Sequence, residues 1–272
     1  MMISELFVKF IFYSMMGWIW ESIYCTVKEK EWQDRGFLFG PVCPIYGVGA
    51  ITVSLIFTYV PILHGGHMAA WKLFLICALG SAVLEYTTSY VLEVIFHAKW
   101  WDYSQIPLNI NGRICLPATI GFGVAGIFVI RYVFPPIDRV SGMMAPWLAE
   151  ILALLLMAIF AADMALTLAS LTQLLQQISA YESDFNEIMA ENYQKIEDRQ
   201  EKLKSKVVEY AERMTYTQRQ ALKRIKAFSL PSRESAAAAI KGTIANVRLP
   251  HIVNNFKTIG NKSVSETISD EE

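Results

Sequence analysis

Glu85–Arg113 reads EYTTSYVLEVIFHAKWWDYSQIPLNINGR, an apolar run that carries two acids and then breaks into a polar, aromatic-rich loop. An ionisable side chain at membrane depth costs about 2.5 to 3.5 kcal/mol on insertion scales, so Glu85 and Glu93 in one span require a partner or a task. Glu85, Ser89 and Glu93 recur at steps of four with Thr88 alongside. That spacing draws a polar stripe along one helix face and turns it toward the inside of a bundle.

The composition agrees with a membrane setting. Of 272 residues 54% are hydrophobic and 18% charged, the balance of a polytopic membrane protein rather than a water-soluble domain. Residues 1–175 hold nine of the 24 Lys/Arg and eleven of the 25 Asp/Glu, so the remaining 97 residues are far richer in charge. The net charge of −1 gives no reason to expect a nucleic-acid partner. Hydropathy predicts an all-α, polytopic integral membrane protein with about five transmembrane helices, roughly at 6–27, 44–63, 69–96, 115–134 and 147–175. A charged helical tail follows. Residues 176–230 read as a cytoplasmic amphipathic or coiled-coil-like helix, and 231–272 as a largely disordered tail with one short helix near 235–240.

Trp18, Trp20, Tyr24, Trp100, Trp101 and Trp147 fall near proposed span ends, where amphipathic rings favour the interface. Five spans put the two termini on opposite sides. The basic tail is hard to place outside, so the C-terminus is expected in the cytoplasm, together with the loops holding Lys28, Lys30, Arg35, Lys99 and Arg113. The first span begins within a few residues of Met1 and lacks a small-residue cleavage site, so it is expected to remain as an anchor. On this topology Glu21, Arg35, Glu93, Asp102 and Arg113 lie near the cytoplasmic end, with Gly17 one turn from Glu21 on the same helix face. Between spans one and two, Arg35–Ala50 (RGFLFGPVCPIYGVGA) combines glycines and prolines in a way that predicts a re-entrant or tightly packed turn.

Phe12–Glu21 (FYSMMGWIWE), Arg35–Ala50, Glu85–Glu93 and Trp101–Arg113 (WDYSQIPLNINGR) together resemble the Putative ABC-transporter type IV family of CmpB-like permeases. The resemblance covers roughly the first 135 residues and implies an integral-membrane permease subunit in the cell membrane, with no substrate attached to the family. It also implies a separate cytoplasmic ATPase subunit, since this chain has no GxxxxGK[ST]; the GNKS at 260–263 lacks the first glycine.

The motif residues have a physical reading of their own. Trp101, Asp102 and Tyr103 supply an amphipathic anchor, an acid and a phenol, and Asn109, Asn111 and Arg113 supply groups suited to carboxylate, phosphate or backbone carbonyls. A structural clamp pairing Arg113 with Asp102 or Glu93 competes with recognition of an anionic substrate or headgroup. Arg113→Lys is expected to be as damaging as Arg113→Ala if the contact is two-pronged. The candidate cavity or clamp is therefore Glu21, Arg35, Glu85, Glu93, Trp101, Asp102, Tyr103, Asn109, Asn111 and Arg113. No catalytic, cofactor or metal residue is assigned. The four cysteines read as small apolar fillers, and His64 and His67 lack a third ligand. Glu150 and Asp163 read as cavity-facing or paired with Arg131 or Arg139. Three functions fit: a permease-like subunit, a membrane enzyme acting on a lipid or lipid-linked anion, and a scaffold or sensor whose cytoplasmic helices bind a partner or another copy.

Overall fold

The computed structural model describes residues 3–60, 68–190 and 196–246. Its helices are α1 (Ile3–Glu29), α2 (Pro44–Tyr59), α3 (Ala70–Phe96), α4 (Leu116–Phe128), α5 (Phe134–Met143), α6 (Pro146–Ala190), α7 (Ile196–Arg213), α8 (Tyr216–Arg224) and α9 (Pro231–Asn246). Four two-residue strands join them: β1 (Ala98–Lys99), β2 (Asn109–Ile110), β3 (Ile114–Cys115) and β4 (Ala227–Phe228). The histidine pair 64 and 67, the GNKS segment and the chain after 246 lie outside the described residues.

Among the described residues three helical stretches are long and apolar enough to cross a membrane: Ala70–Phe96, Leu116–Met143 and Pro146–Ala190. Pro44–Tyr59 is apolar but shorter. α1 matches α3 in length at 27 residues, yet Lys9, Ser14, Glu21 and Ser22 make it more polar. Only 22%, 11% and 11% of the three spanning windows is buried inside the chain, which suits helices whose outer faces meet lipid.

Helices approach closely where glycine removes a side chain. A Cβ on Gly47 would come within 2.6 Å of the Phe10 carbonyl oxygen, and one on Gly123 within 2.6 Å of the Phe74 ring. These residues let α1 lie on α2 and α3 on α4. Sequence reading ends the fourth span at Phe134, before Pro135 and Pro136. The helix instead continues to Met143 through a π-helical turn at Val129–Val133. The prolines occupy the first positions after that turn, where a missing N–H costs little.

The tail is not a free helix. α6 runs 45 residues to Ala190, and α7, α8 and α9 then pack against it and each other. Within the segment read as amphipathic or coiled-coil-like, Ile178 and Tyr181 join Met214, Ala221, Ile225 and Phe228 in one core with Phe96, Ala98 and Trp100. Ile178 is 0% and Ile225 1% exposed, so much of the apolar face of this segment is buried within the chain. Thr215 and Gln218 form a capping box that starts α8. Residues 231–246, read mostly as disordered, form α9, which buries Ala237 and Ile240 in the same core. β4 pairs antiparallel with β1, Ala98 opposite Phe228, and ties the tail to the end of α3.

Candidate functional site

α3 (Ala70–Phe96) is capped by His97, whose N–H makes the last helical bond, to the Glu93 carbonyl at 2.8 Å, and whose left-handed backbone (φ 52°) turns the chain out of the helix. The chain then turns through β1 and a loop into the β2–β3 hairpin, whose connection holds Asn111 and Gly112 at positive φ. Gly112 is required there. A Cβ at that position would meet the Asp102 carboxylate at 2.6 Å. Asn109 folds the same loop by donating to the Ile106 carbonyl at 2.7 Å and accepting the Gly112 N–H at 3.0 Å.

Arg113 leaves this hairpin and lies on α3. One guanidinium nitrogen meets a Glu93 oxygen at 2.8 Å, and the group sits 5.3 Å from the ring centres of both Tyr86 and Tyr90. Trp101 donates its indole N–H to the Arg113 carbonyl at 3.0 Å, and Asn111 donates to the Tyr86 hydroxyl at 3.2 Å. The second Glu93 oxygen accepts from the Ser229 hydroxyl at 2.8 Å, with Lys99 at 3.9 Å.

Asp102 is not the partner of Arg113. Its carboxylate accepts the Ser104 N–H at 2.9 Å and the Ser104 hydroxyl, closing a tight turn. Burial pushes this acid up, but the Ser104 hydrogen bonds, with Lys99 and Lys226 nearby, outweigh it and hold the carboxyl below its usual range.

Arg113 also meets Glu93 through one nitrogen rather than two, its other terminal nitrogen lying 3.5 Å from the Tyr86 hydroxyl. A lysine therefore keeps the ion pair and loses chiefly the two ring contacts. Arg113→Lys is expected to cost about 1 kcal/mol and Arg113→Ala about 2 to 3 kcal/mol, read by thermal unfolding in detergent micelles. Equal losses in the two variants would mean that the rings, not Glu93, hold the arginine.

A second group lies deeper. Tyr103 donates its hydroxyl to Glu85 at 3.3 Å, and its phenol is pushed well up by burial and by that carboxylate. Glu21 on α1 lies near enough to Glu85 to interact electrostatically. Glu21 faces Arg35 at 3.9 Å and the Cys43 thiol at 3.9 Å, with Tyr46 interacting from α2. The ten candidate residues thus share one end of the spans but divide into three sets. Glu93, Arg113, Trp101 and Asn111 form a clamp, Glu85 and Tyr103 with Glu21 and Arg35 form an inner polar cluster, and Asp102 and Asn109 shape the loop.

Sequence reasoning singled out Asp163 without its role, and missed Arg224, in holding the Arg35–Ala50 turn. Asp163 pairs with neither Arg131 nor Arg139. Its two oxygens accept the backbone N–H groups of Phe39 at 3.1 Å and Gly40 at 3.0 Å, while Thr167 also accepts from Phe39 at 3.2 Å. Arg131 reaches the Met68 carbonyl instead, at 3.4 Å. From the other side Arg224 of α8, 6% exposed, binds Asp34 and the carbonyls of Leu38 and Phe39. The acid in an apolar span was a visible signal for Asp163. Arg224 had none, being one of several basic residues on an amphipathic helix.

A family model described as Putative ABC-transporter type IV matches residues 8–168, well over half of the chain. The chain belongs to that family. Comparison with curated proteins and with solved structures finds no match. The type IV region contains all ten candidate residues and ends just past Thr167. Arg224, Lys226 and Ser229, which grip that region, come from beyond it: the Lys226 N–H bonds the Lys99 carbonyl at 2.7 Å and the Ser229 N–H the His97 carbonyl at 3.0 Å.

Proposed function

We propose that this chain is a permease-like integral membrane subunit of a transport system, working with a separate cytoplasmic ATPase. The observation that carries the reading is the convergence of the type IV motif residues on one end of the apolar helices, as a half-buried polar cluster with the charged tail against it. In this reading α1 and α2 also cross the membrane, giving five spans of alternating direction. The Lys and Arg residues of the loops on the tail side support a cytoplasmic position for that side and for the C-terminus. The small buried share of each span leaves room for lipid or further subunits along the outer faces. No substrate is assigned.

Purifying the intact chain in a mild detergent and identifying stoichiometric companions by mass spectrometry tests the reading. The expected result is a nucleotide-binding subunit in near-equal amount. A chain that purifies alone, or only with companions lacking ATPase activity, would overturn it and return attention to a lipid enzyme or a scaffold.

A further inference from the structure

α3 carries Glu85 into the packed interior, where the residue is 6% exposed and Ser89, one turn on, is 5% exposed. One carboxyl oxygen accepts from Tyr103 at 3.3 Å. The other, Oε2, is shut off from solvent and has no hydrogen-bond partner among the described residues. The titratable groups that act on this carboxyl are Glu21 from α1 and Tyr103 from the loop; beyond them Tyr46 from α2 interacts with both, and Cys115 from β3 with Tyr103. All are acids or neutral hydrogen donors. The cations at this end are engaged elsewhere, Arg113 with Glu93 at 2.8 Å and Arg35 facing Glu21 at 3.9 Å.

A carboxylate so placed would have one long hydrogen bond, a bare buried oxygen and a second acid nearby, an arrangement a protein interior does not sustain without compensation. A bound positive charge supplies that compensation by removing the charge itself. A metal ion would need several oxygen ligands around it, and among the described residues no group of three or more His, Cys, Asp or Glu side chains is placed to hold one. A proton needs neither room nor further ligands.

We infer that Glu85 is a proton-binding site inside the helix bundle, its proton on Oε2, with Tyr103 and Glu21 as the groups that set its charge. Ionisation of Glu85 is opposed by Glu21 and favoured by the Tyr103 hydroxyl, which can donate to the charged form. A change that withdraws Tyr103 therefore strengthens the hold on the proton, and one that neutralises Glu21 weakens it. The inference concerns the charge state of one carboxyl and does not depend on the transport reading.

Infrared difference spectroscopy of the full chain in lipid nanodiscs, wild type minus Glu85→Gln, tests it. At neutral pH the expected difference is the carbonyl band of a neutral carboxylic acid, and its intensity falls about tenfold per pH unit above the titration point. Tyr103→Phe shifts that titration to higher pH. If Glu85→Gln does not fold, the wild-type chain is treated with dicyclohexylcarbodiimide, which modifies protonated carboxyls in apolar surroundings, and adducts are mapped by peptide mass spectrometry. An adduct on Glu85 with none on Glu93 supports the site. The inference is overturned by a carboxylate band at neutral pH, by adducts elsewhere with none on Glu85, or by a neutral-acid band or adduct that sodium chloride removes and choline chloride does not.

Discussion

Asp163→Ala is expected to lower the stability of the full chain by about 2 to 4 kcal/mol, the largest loss among the substitutions considered. Its two oxygens receive the N–H groups of Phe39 and Gly40, consecutive residues in a turn that has no regular backbone ladder to satisfy them. Leu38 beside them is 0% exposed, so water is poorly placed to replace the carboxylate. Thr167 still accepts from Phe39 in the variant, which leaves Gly40 as the orphaned donor and limits the loss. Asp163→Asn keeps one acceptor and should lose roughly half as much. Denaturation in mixed micelles measures both. A loss within about 0.5 kcal/mol for the alanine variant would show that the turn does not need this acid.

Arg224→Ala is the second large effect, expected at about 2 to 3 kcal/mol. The guanidinium joins Asp34 to the carbonyls of Leu38 and Phe39 and sits 5.4 Å from the Phe39 ring centre. Breaking a fully buried ion pair costs about 3 to 5 kcal/mol, but the Asp34 side chain is 35% exposed and water can partly repair it, so the smaller figure applies. The loss should be local as well as global. Hydrogen exchange in α8 and at β4 should accelerate more than in α3, because Arg224 fastens the tail to the turn while α3 keeps its own packing. Asp34→Asn should be milder than Arg224→Ala, since the carbonyls and the ring remain. Unchanged exchange in α8 would show that the tail is held by its apolar core alone.

These two residues mark the boundary of what sequence reading could reach. The polar face of α3, the packed turn at residues 35–50 and the family resemblance all rest on spacing within a few residues, and such spacing follows directly from helix and turn geometry. The choice of Glu93 over Asp102 for Arg113 does not. Both acids were in range on paper, and Ser104 and the hairpin turned Asp102 away. Local chemistry at Ser104 hinted at that turn, but the competition was settled by where β2 and β3 set Arg113 on α3.

The tail shows the same division. Apolar steps of three and four fit a coiled coil, a docked helix or an interface with another chain equally well, because each buries one stripe. The α6–α9 core takes up much of that stripe internally, from Ile178 to Ile240. By itself, then, the sequence determined that this is a helical membrane protein with acids in its spans, a glycine- and proline-shaped turn and a charged helical tail, since hydropathy and periodicity are properties of short windows. Tertiary structure alone decided the partners. Asp163 meets Gly40 across 123 positions and Arg224 meets Asp34 across 190, and contacts so distant along the chain arise only when the packing of whole helices brings the two ends together.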